Sequence, residues 1–160
     1  MARLKVGDGC ENYIEKLNKL LLNTEDVLGH AIYEGAAVVI KAVDSAIDTI
    51  PTAKPSGKGT AVSGLTAAQK AGLHSGIGIA KMRNDSGYIN VKIGFDGYNG
   101  AATKKYPQGQ PNAMMARVAE SGSTYHTKTP FIGPAVRRTK AAAEAAMNKE
   151  LDKQIESKMI

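Results

Sequence analysis

The amino-acid sequence predicts an α+β protein, in which a long N-terminal helix packs on a small antiparallel β-sheet and a C-terminal helix follows. Three patterns predict this fold class. Apolar residues recur at helical spacing before residue 50 and again after residue 134. Between them, apolar and polar residues alternate strictly over 89–95, as in a half-buried strand. The length of 160 residues suits one domain, so we assign 1–160 to a single domain.

The first 50 residues are predicted to contain a helical arm and the long helix. Residues 1–9 are expected to form a short irregular arm. Helical spacing then starts near residue 11, with the apolar positions Ile14, Leu17, Leu20 and Leu21. Thr24 is the predicted N-cap of a new start, because two acids follow it in the first turn. The pattern leaves open whether this region is one bent helix or two, and Pro51 ends it.

Two loops surround the predicted β-hairpin. Residues 51–65 and 96–112 are rich in glycine, proline and lysine and are predicted to be flexible loops, with one helical turn over 66–70. The hairpin is predicted over 73–95 and turns at the segment Asn-Asp-Ser-Gly, residues 84–87, with its glycine in left-handed geometry. Because a lone hairpin is only marginally stable, its apolar face is expected to pack on the long helix.

A short block joins the last two predicted helices, which span 112–122 and 134–158. Gly122 can adopt the positive φ that closes the first of them. Glu120, one of the few acids in this region, is expected to have a structural role at the end of that helix, since no second acid lies near it in sequence to form a catalytic pair.

The second half of the block contains two prolines on either side of an aromatic and an aliphatic residue. Pro130 stiffens the approach to the last helix. Pro134 supplies a preset φ in its first turn, where no backbone donor is needed. Phe131 and Ile132 are expected to anchor the junction, each contributing about 1.5–3 kcal/mol if fully buried.

The composition predicts a subunit that gains stability by assembly. The chain has no tryptophan and only two phenylalanines, and much of its apolar content is alanine. Small side chains bury little area each, so we expect association with further copies to add stability by mass action. The single cysteine, Cys10, cannot form an internal disulfide, which fits a reducing cytosol. No secretory signal and no membrane span are expected.

The net charge of +6 is unevenly distributed along the chain. Residues 1–50 carry −3, whereas 51–110 carry +6. Solvated loop lysines are one interpretation, and a positive patch near nucleic acid or an acidic partner is the other. The loop lysines that would face DNA or such a partner are Lys54, Lys58, Lys104 and Lys105. A small DNA-binding protein would use these together with Lys70, Lys81, Arg83 and Lys92.

Sequence patterns for catalysis, metal binding and cofactor binding are absent. The segment Ser-Gly-Lys-Gly-Thr, residues 56–60, lacks the glycine spacing of a phosphate-binding loop. His30, His74 and His126 are scattered singly, without a nearby ligand at metal-binding spacing, so they are expected to be ordinary surface or loop residues. We therefore expect no catalytic residue, no metal and no cofactor.

The block resembles the head–tail joining, or tail-completion, family of long-tailed bacteriophages. The similarity is carried by Glu120-x-Gly122-Ser123 and by Pro130-Phe131-Ile132-Gly133-Pro134-Ala135, and it is specific in residues over about 116–135. Two departures from the family pattern are a longer loop after the first helix and the lack of an aromatic residue just before Glu120.

The resemblance implies a non-enzymatic structural protein of a phage or prophage tail. Such proteins form rings, commonly hexameric, at the head–tail junction or proximal tail end. The implied partners are further copies of the chain and the head connector or adaptor, tail terminator and tail tube proteins, with DNA passing through the lumen. The implied location is the virion neck, and the host cytoplasm during assembly. The alternatives are the small basic DNA-binding protein and a phage-encoded hydrolase based on the isolated acid.

Overall fold

The computed structural model describes residues 8–53 and 60–159. The fold class is α+β, as predicted. The helices are α1 (Asp8–Leu22), α2 (Thr24–Ile47), α3 (Ala67–Gly76), α4 (Asn112–Ser121) and α5 (Ile132–Met159). The strands are β1 (Val62–Ser63), β2 (Ile77–Ile79), β3 (Arg83–Asp85), β4 (Tyr88–Asn90), β5 (Ile93–Phe95) and β6 (His126–Thr127). Residues 1–7 of the predicted irregular arm lie outside the described residues. Residues 8 and 9 belong to α1, so the prediction is wrong for them.

The N-terminal region consists of two helices that meet at Asn23, which settles the alternative that the sequence left open. The prediction that Thr24 is an N-cap is wrong. Asn23 holds that position without a side-chain capping bond. The Thr24 hydroxyl instead donates to the carbonyl oxygens of Leu20 and Leu21, at 3.2 and 2.9 Å. It is drawn there because the last carbonyls of α1 have no partner within their own helix.

The long helix α2 packs most extensively against the C-terminal helix α5, and it also contacts β2 and β4. The predicted helix-on-sheet layer is therefore present, but the helix pair is the larger interface. Gly35 of α2 makes the close approach possible, because a Cβ there would collide with the side chain of Met147. The main core cluster contains Val43, Ala46, Ile47, Ile50, Leu65, Leu73, Met115, Ala116, Ala119, Phe131 and Ala135.

Helix α3 is longer than the single turn that the sequence predicted, and it extends to Gly76, so the hairpin cannot begin at residue 73. The cause is a capping box at its start. The Thr66 hydroxyl accepts from the backbone N–H of Gln69 at 3.2 Å, and the Gln69 side-chain oxygen accepts from the N–H of Thr66 at 2.9 Å. These reciprocal bonds satisfy the first donors of the helix and stabilise its start.

The hairpin consists of two short antiparallel ladders in sequence. Strand β2 pairs with β5 and strand β3 pairs with β4. Between the two ladders, the three residues 80–82 lie opposite the two residues 91–92. The N-terminal side of the hairpin therefore has one residue more than the C-terminal side, as in a β-bulge. At the tip, Ser86 and Gly87 have φ values of 55° and 92°. Two consecutive positive φ values are typical of a type I′ turn, so the predicted left-handed glycine is confirmed and Ser86 shares its conformation.

The third sheet joins two distant parts of the chain. Strand β1, at the end of the first predicted loop, pairs in parallel with β6 inside the block. The second predicted loop, 96–112, lacks helix and strand up to Pro111. Its base is fastened by the buried Asn99, whose side-chain oxygen accepts from the N–H groups of Ala101 at 2.9 Å and Gln110 at 3.2 Å. Both loops thus end at fixed points near α4 and α5.

Candidate functional site

The block between α4 and α5 is organised around the carboxylate of Glu120. This side chain projects from the last turn of α4 and is half-buried. Its Oε2 accepts from the backbone N–H groups of Phe131 at 2.7 Å and Ile132 at 2.8 Å, and its Oε1 accepts from that of Gly133 at 2.9 Å. The expectation that Glu120 serves the end of α4 needs correction, because its carboxylate caps the start of the next helix.

The carboxylate and Pro134 together account for the unpaired donors at the start of α5. A helix leaves its first four N–H groups without a partner inside the helix. Three of these groups donate to Glu120, and the fourth position is Pro134, which has no N–H. The first backbone bond of the helix follows at once, from the N–H of Ala135 to the carbonyl of Phe131 at 3.3 Å. The predicted role of Pro134 in the first turn is confirmed, although α5 begins at Ile132 and not at residue 134.

Gly133 allows the carboxylate to come this close. A Cβ at this position would lie 3.0 Å from Oε1 of Glu120, which is tighter than an ordinary contact. Gly133 belongs to the Pro-Phe-Ile-Gly-Pro-Ala segment, residues 130–135, that the sequence analysis singled out. Sequence spacing did not indicate that its contact partner would be Glu120.

The electrostatics of Glu120 follow from this geometry. Partial burial alone would raise the pKa of the carboxyl group. The N–H groups of Gly133, Ile132 and Phe131, with the nearby charge of Lys128, outweigh that effect and lower the pKa below its ordinary value of 4.5. The positive end of the α5 dipole favours the same ionised form. Glu120 is therefore a fixed anion at a helix start, and its low pKa makes it a poor proton donor near neutral pH.

The loop after α4 turns back because Gly122 ends that helix with a φ of 78°, which confirms the predicted positive φ. The N–H of Gly122 donates to the carbonyl of Val118 at 2.8 Å, and that of Thr129 donates to the carbonyl of Ala119 at 2.8 Å. The returning strand β6 is joined to β1, since the N–H of Val62 donates to the carbonyl of Tyr125 at 2.8 Å. The block thus connects α4, α5 and the β1–β6 pair.

Phe131 attaches the block to the core. Its side chain is 2% exposed, which confirms the predicted burial, and its ring centroid lies 6.0 Å from that of Phe95 in a tilted arrangement. Ile132 is partly buried against the same cluster, and Pro130 is exposed. The side chain of Phe131 is held by packing in the core, and its backbone N–H is held by Glu120. Packing and hydrogen bonding therefore both fix the start of α5.

No protein-family model, no curated protein and no solved structure matches this chain. A proposal about its function therefore depends on the geometry of the block and on the residue-level resemblance.

The predicted basic residues do not gather around the block. Lys54 and Lys58 lie outside the described residues. Lys104 and Lys105 are exposed on the loop 96–112, and the ammonium group of Lys105 lies 5.6 Å from the ring centroid of Tyr106. Whether these lysines face DNA or a partner stays a prediction.

His74 has an environment that the sequence did not predict. Its ring lies between the carboxylates of Asp44 on α2 and Asp48, the C-cap residue of that helix. The expectation that His74 is an ordinary surface or loop residue is therefore wrong. The four-residue spacing of these aspartates places them on one helix face, which was the available signal. Within 8–53 and 60–159, no group of three or more histidine, cysteine or acidic side chains is arranged to hold a metal ion. Over the same ranges, no helix combines the length and apolar character needed to cross a membrane.

Proposed function

We propose that this protein is a structural virion component of a phage or prophage tail, which forms a ring at the head–tail junction or proximal tail end and is required for tail completion and head–tail joining. The observation that carries the proposal is the Glu120 cap. Among the residues that resemble the family, Glu120 caps α5 through the N–H groups of residues 131–133, and Phe131 anchors the start of that helix in the core.

The state of Glu120 supports a non-enzymatic role. Both carboxylate oxygens are hydrogen-bonded to backbone amides, and the pKa is lowered. A general acid needs a proton at the working pH, and its pKa is usually raised towards neutrality. The lowered pKa therefore argues against the hydrolase alternative in the form in which Glu120 would act as a general acid.

Exposed apolar residues on α1 support self-association. Leu21 and Leu22 are 71% and 86% exposed, and Ile14 is 52% exposed. Large apolar side chains clustered on one short helix favour burial against another protein surface. The interior supports the same view, because many of its buried side chains are alanine or valine and its largest fully buried side chain is Phe131. A subunit with small buried side chains gains stability when copies assemble.

The proposed partners are further copies of the chain in a hexameric ring, together with the head connector or adaptor and the tail terminator or tail tube proteins. DNA passes through the lumen without sequence-specific contacts. The proposed location is the virion neck, after assembly in the host cytoplasm.

Light scattering over a concentration series and electron microscopy, with and without connector and tail tube proteins, test this proposal. Rings are expected, at least beside the neighbouring proteins. Replacing both Leu21 and Leu22 by serine should reduce assembly while the subunit stays folded. Ile155→Ser on α5, where the side chain is 39% exposed, is the matched control. A strict monomer under every condition would refute the proposal.

The alternative function, a small DNA-binding protein, is motivated by exposed basic side chains in the middle of the chain. Lys81, Arg83 and Lys92 are exposed, as are Lys104 and Lys105. Binding of this kind weakens steeply with salt, in proportion to the phosphates contacted. Measurable affinity for duplex DNA at low salt, lost as salt is added, would favour it over the ring.

A further inference from the structure

His74 on α3 bridges the carboxylates of Asp44, on α2, and Asp48, the C-cap residue of that helix. Its Nδ1 lies 2.7 Å from Oδ1 of Asp44, and its Nε2 lies 3.1 Å from Oδ1 of Asp48. An ionised carboxylate only accepts hydrogen bonds, and a neutral imidazole has a single N–H. Both contacts are therefore hydrogen bonds only when the ring is protonated and carries two N–H groups.

The C-terminal end of α2 receives its positive charge from α3. The last turn of α2 contains no basic residue, although the helix end carries partial negative charge. Lys70 of α3 donates to the backbone carbonyls of Asp48 and Ile50, at 3.3 and 2.8 Å. His74 lies one turn further along α3, on the same face. Histidine is the side chain whose ordinary pKa lies close to physiological pH, so the contact made by His74 is the one that pH can change.

We propose that His74 makes the contact between α2 and α3 a pH-dependent clasp, which holds both aspartates when the ring is protonated and only one when it is neutral. The neutral ring keeps its proton on Nδ1, facing the nearer Asp44. The lone pair of Nε2 then faces the Asp48 carboxylate and repels it. The Asp48 side chain is 75% exposed, so it is free to turn towards water.

Helix α3 stays in place when the clasp opens. Leu73, next to His74, is 0% exposed, and Lys70 keeps its bonds to the end of α2. The change is therefore local, confined to the last turn of α2 and the part of α3 that faces it.

The two carboxylates in contact with His74 both favour the protonated ring. The hydrogen bond to Asp44 is the largest influence and raises the pKa above its ordinary value of 6.5, partial burial opposes it, and Asp48 adds to the rise. Of the other elements packed against α3, β5 has no ionisable side chain, and α4 has Arg117 and Glu120, whose carboxylate is bonded to the start of α5. In the part of the chain that the structure describes, His74 forms ion pairs with the two aspartates alone.

The direction of the effect follows from the raised pKa. The clasp stabilises the fold fully below pH 6.5, the ordinary pKa of the ring, and the stabilisation is lost as the pH rises through the folded-state pKa. Each unit by which the folded-state pKa exceeds the unfolded value corresponds to a tenfold change in the folding equilibrium.

Proton NMR of the histidine rings from about pH 5 to about pH 9 tests the clasp. His74 should titrate above 6.5, and Asp48→Asn should lower its pKa without unfolding the protein, since Asp48 is exposed. Backbone amide shifts of the last turn of α2 should follow the same pKa. Titration at or below 6.5, or amide shifts that do not follow the ring, would overturn the proposal.

Denaturant unfolding of His74→Gln is the second measurement. The difference in unfolding midpoint between the wild type and this variant should shrink as the pH rises above neutrality. The control is His30→Gln, because His30 is exposed and lies 3.7 Å from a single aspartate, Asp26. An unchanged difference over the whole range would contradict the clasp. Wild type and variants are compared at one protein concentration at which all are monomeric, so assembly does not affect the difference and the ring proposal stands or falls separately.

Discussion

Replacing Glu120 by glutamine removes the charge of the cap and keeps the size of the side chain. In the wild type one carboxylate accepts from three backbone N–H groups at 2.7, 2.8 and 2.9 Å. A glutamine has one acceptor oxygen, and its NH₂ group faces N–H donors that it cannot bond. At least one half-buried donor at the start of α5 therefore loses its partner.

The size of the effect follows from the type of bond. Hydrogen bonds to charged groups contribute about 1.5–3 kcal/mol each and neutral ones about 0.5–1.5 kcal/mol. The three bonds share one carboxylate and are partly exposed, so their contributions do not simply add. Loss of a helix N-cap costs about 0.5–2 kcal/mol. We expect Glu120→Gln to lower the free energy of unfolding by about 2 kcal/mol, and Glu120→Ala by about 3 kcal/mol because no acceptor remains.

Urea unfolding followed by circular dichroism measures these changes. The matched control is Glu144→Gln, because Glu144 is an exposed residue of α5 whose carboxylate lies 3.9 Å from the ammonium group of Lys140. An exposed pair of this kind contributes less than about 0.5 kcal/mol. If Glu120→Gln destabilised the protein no more than this control does, the cap would have no energetic role and the reasoning would be refuted.

Three further substitutions test the block and the fold by the same unfolding measurement. Phe131→Ala should lower the free energy of unfolding by about 3–5 kcal/mol and impair assembly, since the side chain is 2% exposed; a stable, assembling variant would contradict this. Gly122→Ala should cost about 1–3 kcal/mol because its φ of 78° and ψ of 172° lie in a region that essentially only glycine adopts, and a neutral result would refute the strain argument. Thr66→Ala should cost about 1 kcal/mol by removing the cap of α3, whereas Thr66→Ser should be close to wild type.

The features that sequence predicted well depend on local chemistry. Gly122 and Gly87 were recognised because their turns need a positive φ, and Phe131 because a large apolar side chain lies beside prolines that mark a helix start. The fold class followed from periodicity. The extent of α3 was also within reach, because Thr66-x-x-Gln69 is the capping-box pattern, although the neighbouring glycines made the segment resemble a loop.

The remaining features depend on contacts between distant residues. The parallel β1–β6 pair joins two-residue strands, which are too short to show alternation. His74 and Asp44 are 30 positions apart, and Glu120 reaches donors 11 to 13 positions away. Local spacing contains no information on which helix end a side chain will meet. Consequently the carboxylate was recognised as structural, but its partner helix was not.

Glu120 stabilises the start of α5 and His74 stabilises the end of α2, each from a neighbouring helix. Their contributions to stability are lost at opposite limits of pH. Glu120 has a lowered pKa, so its contribution is present above 4.5 and is lost as the pH falls through the folded-state value. His74 has a raised pKa, so its contribution is present below 6.5 and is lost as the pH rises through the folded-state value.

Both side chains therefore contribute fully to stability only between pH 4.5 and pH 6.5, the ordinary pKa values of the two groups. The thermal unfolding midpoint is measured against pH for the wild type and for each variant, and the variant curve is subtracted from the wild-type curve. The subtraction removes the contributions of the other ionisable residues. Glu120→Gln should change the curve mainly on the acid side and His74→Gln mainly on the alkaline side, because the two residues belong to different helix ends. If Glu120→Gln altered the alkaline limb as strongly as His74→Gln, the two ends would be coupled, and the assignment of the acid limb to Glu120 and the alkaline limb to His74 would be wrong.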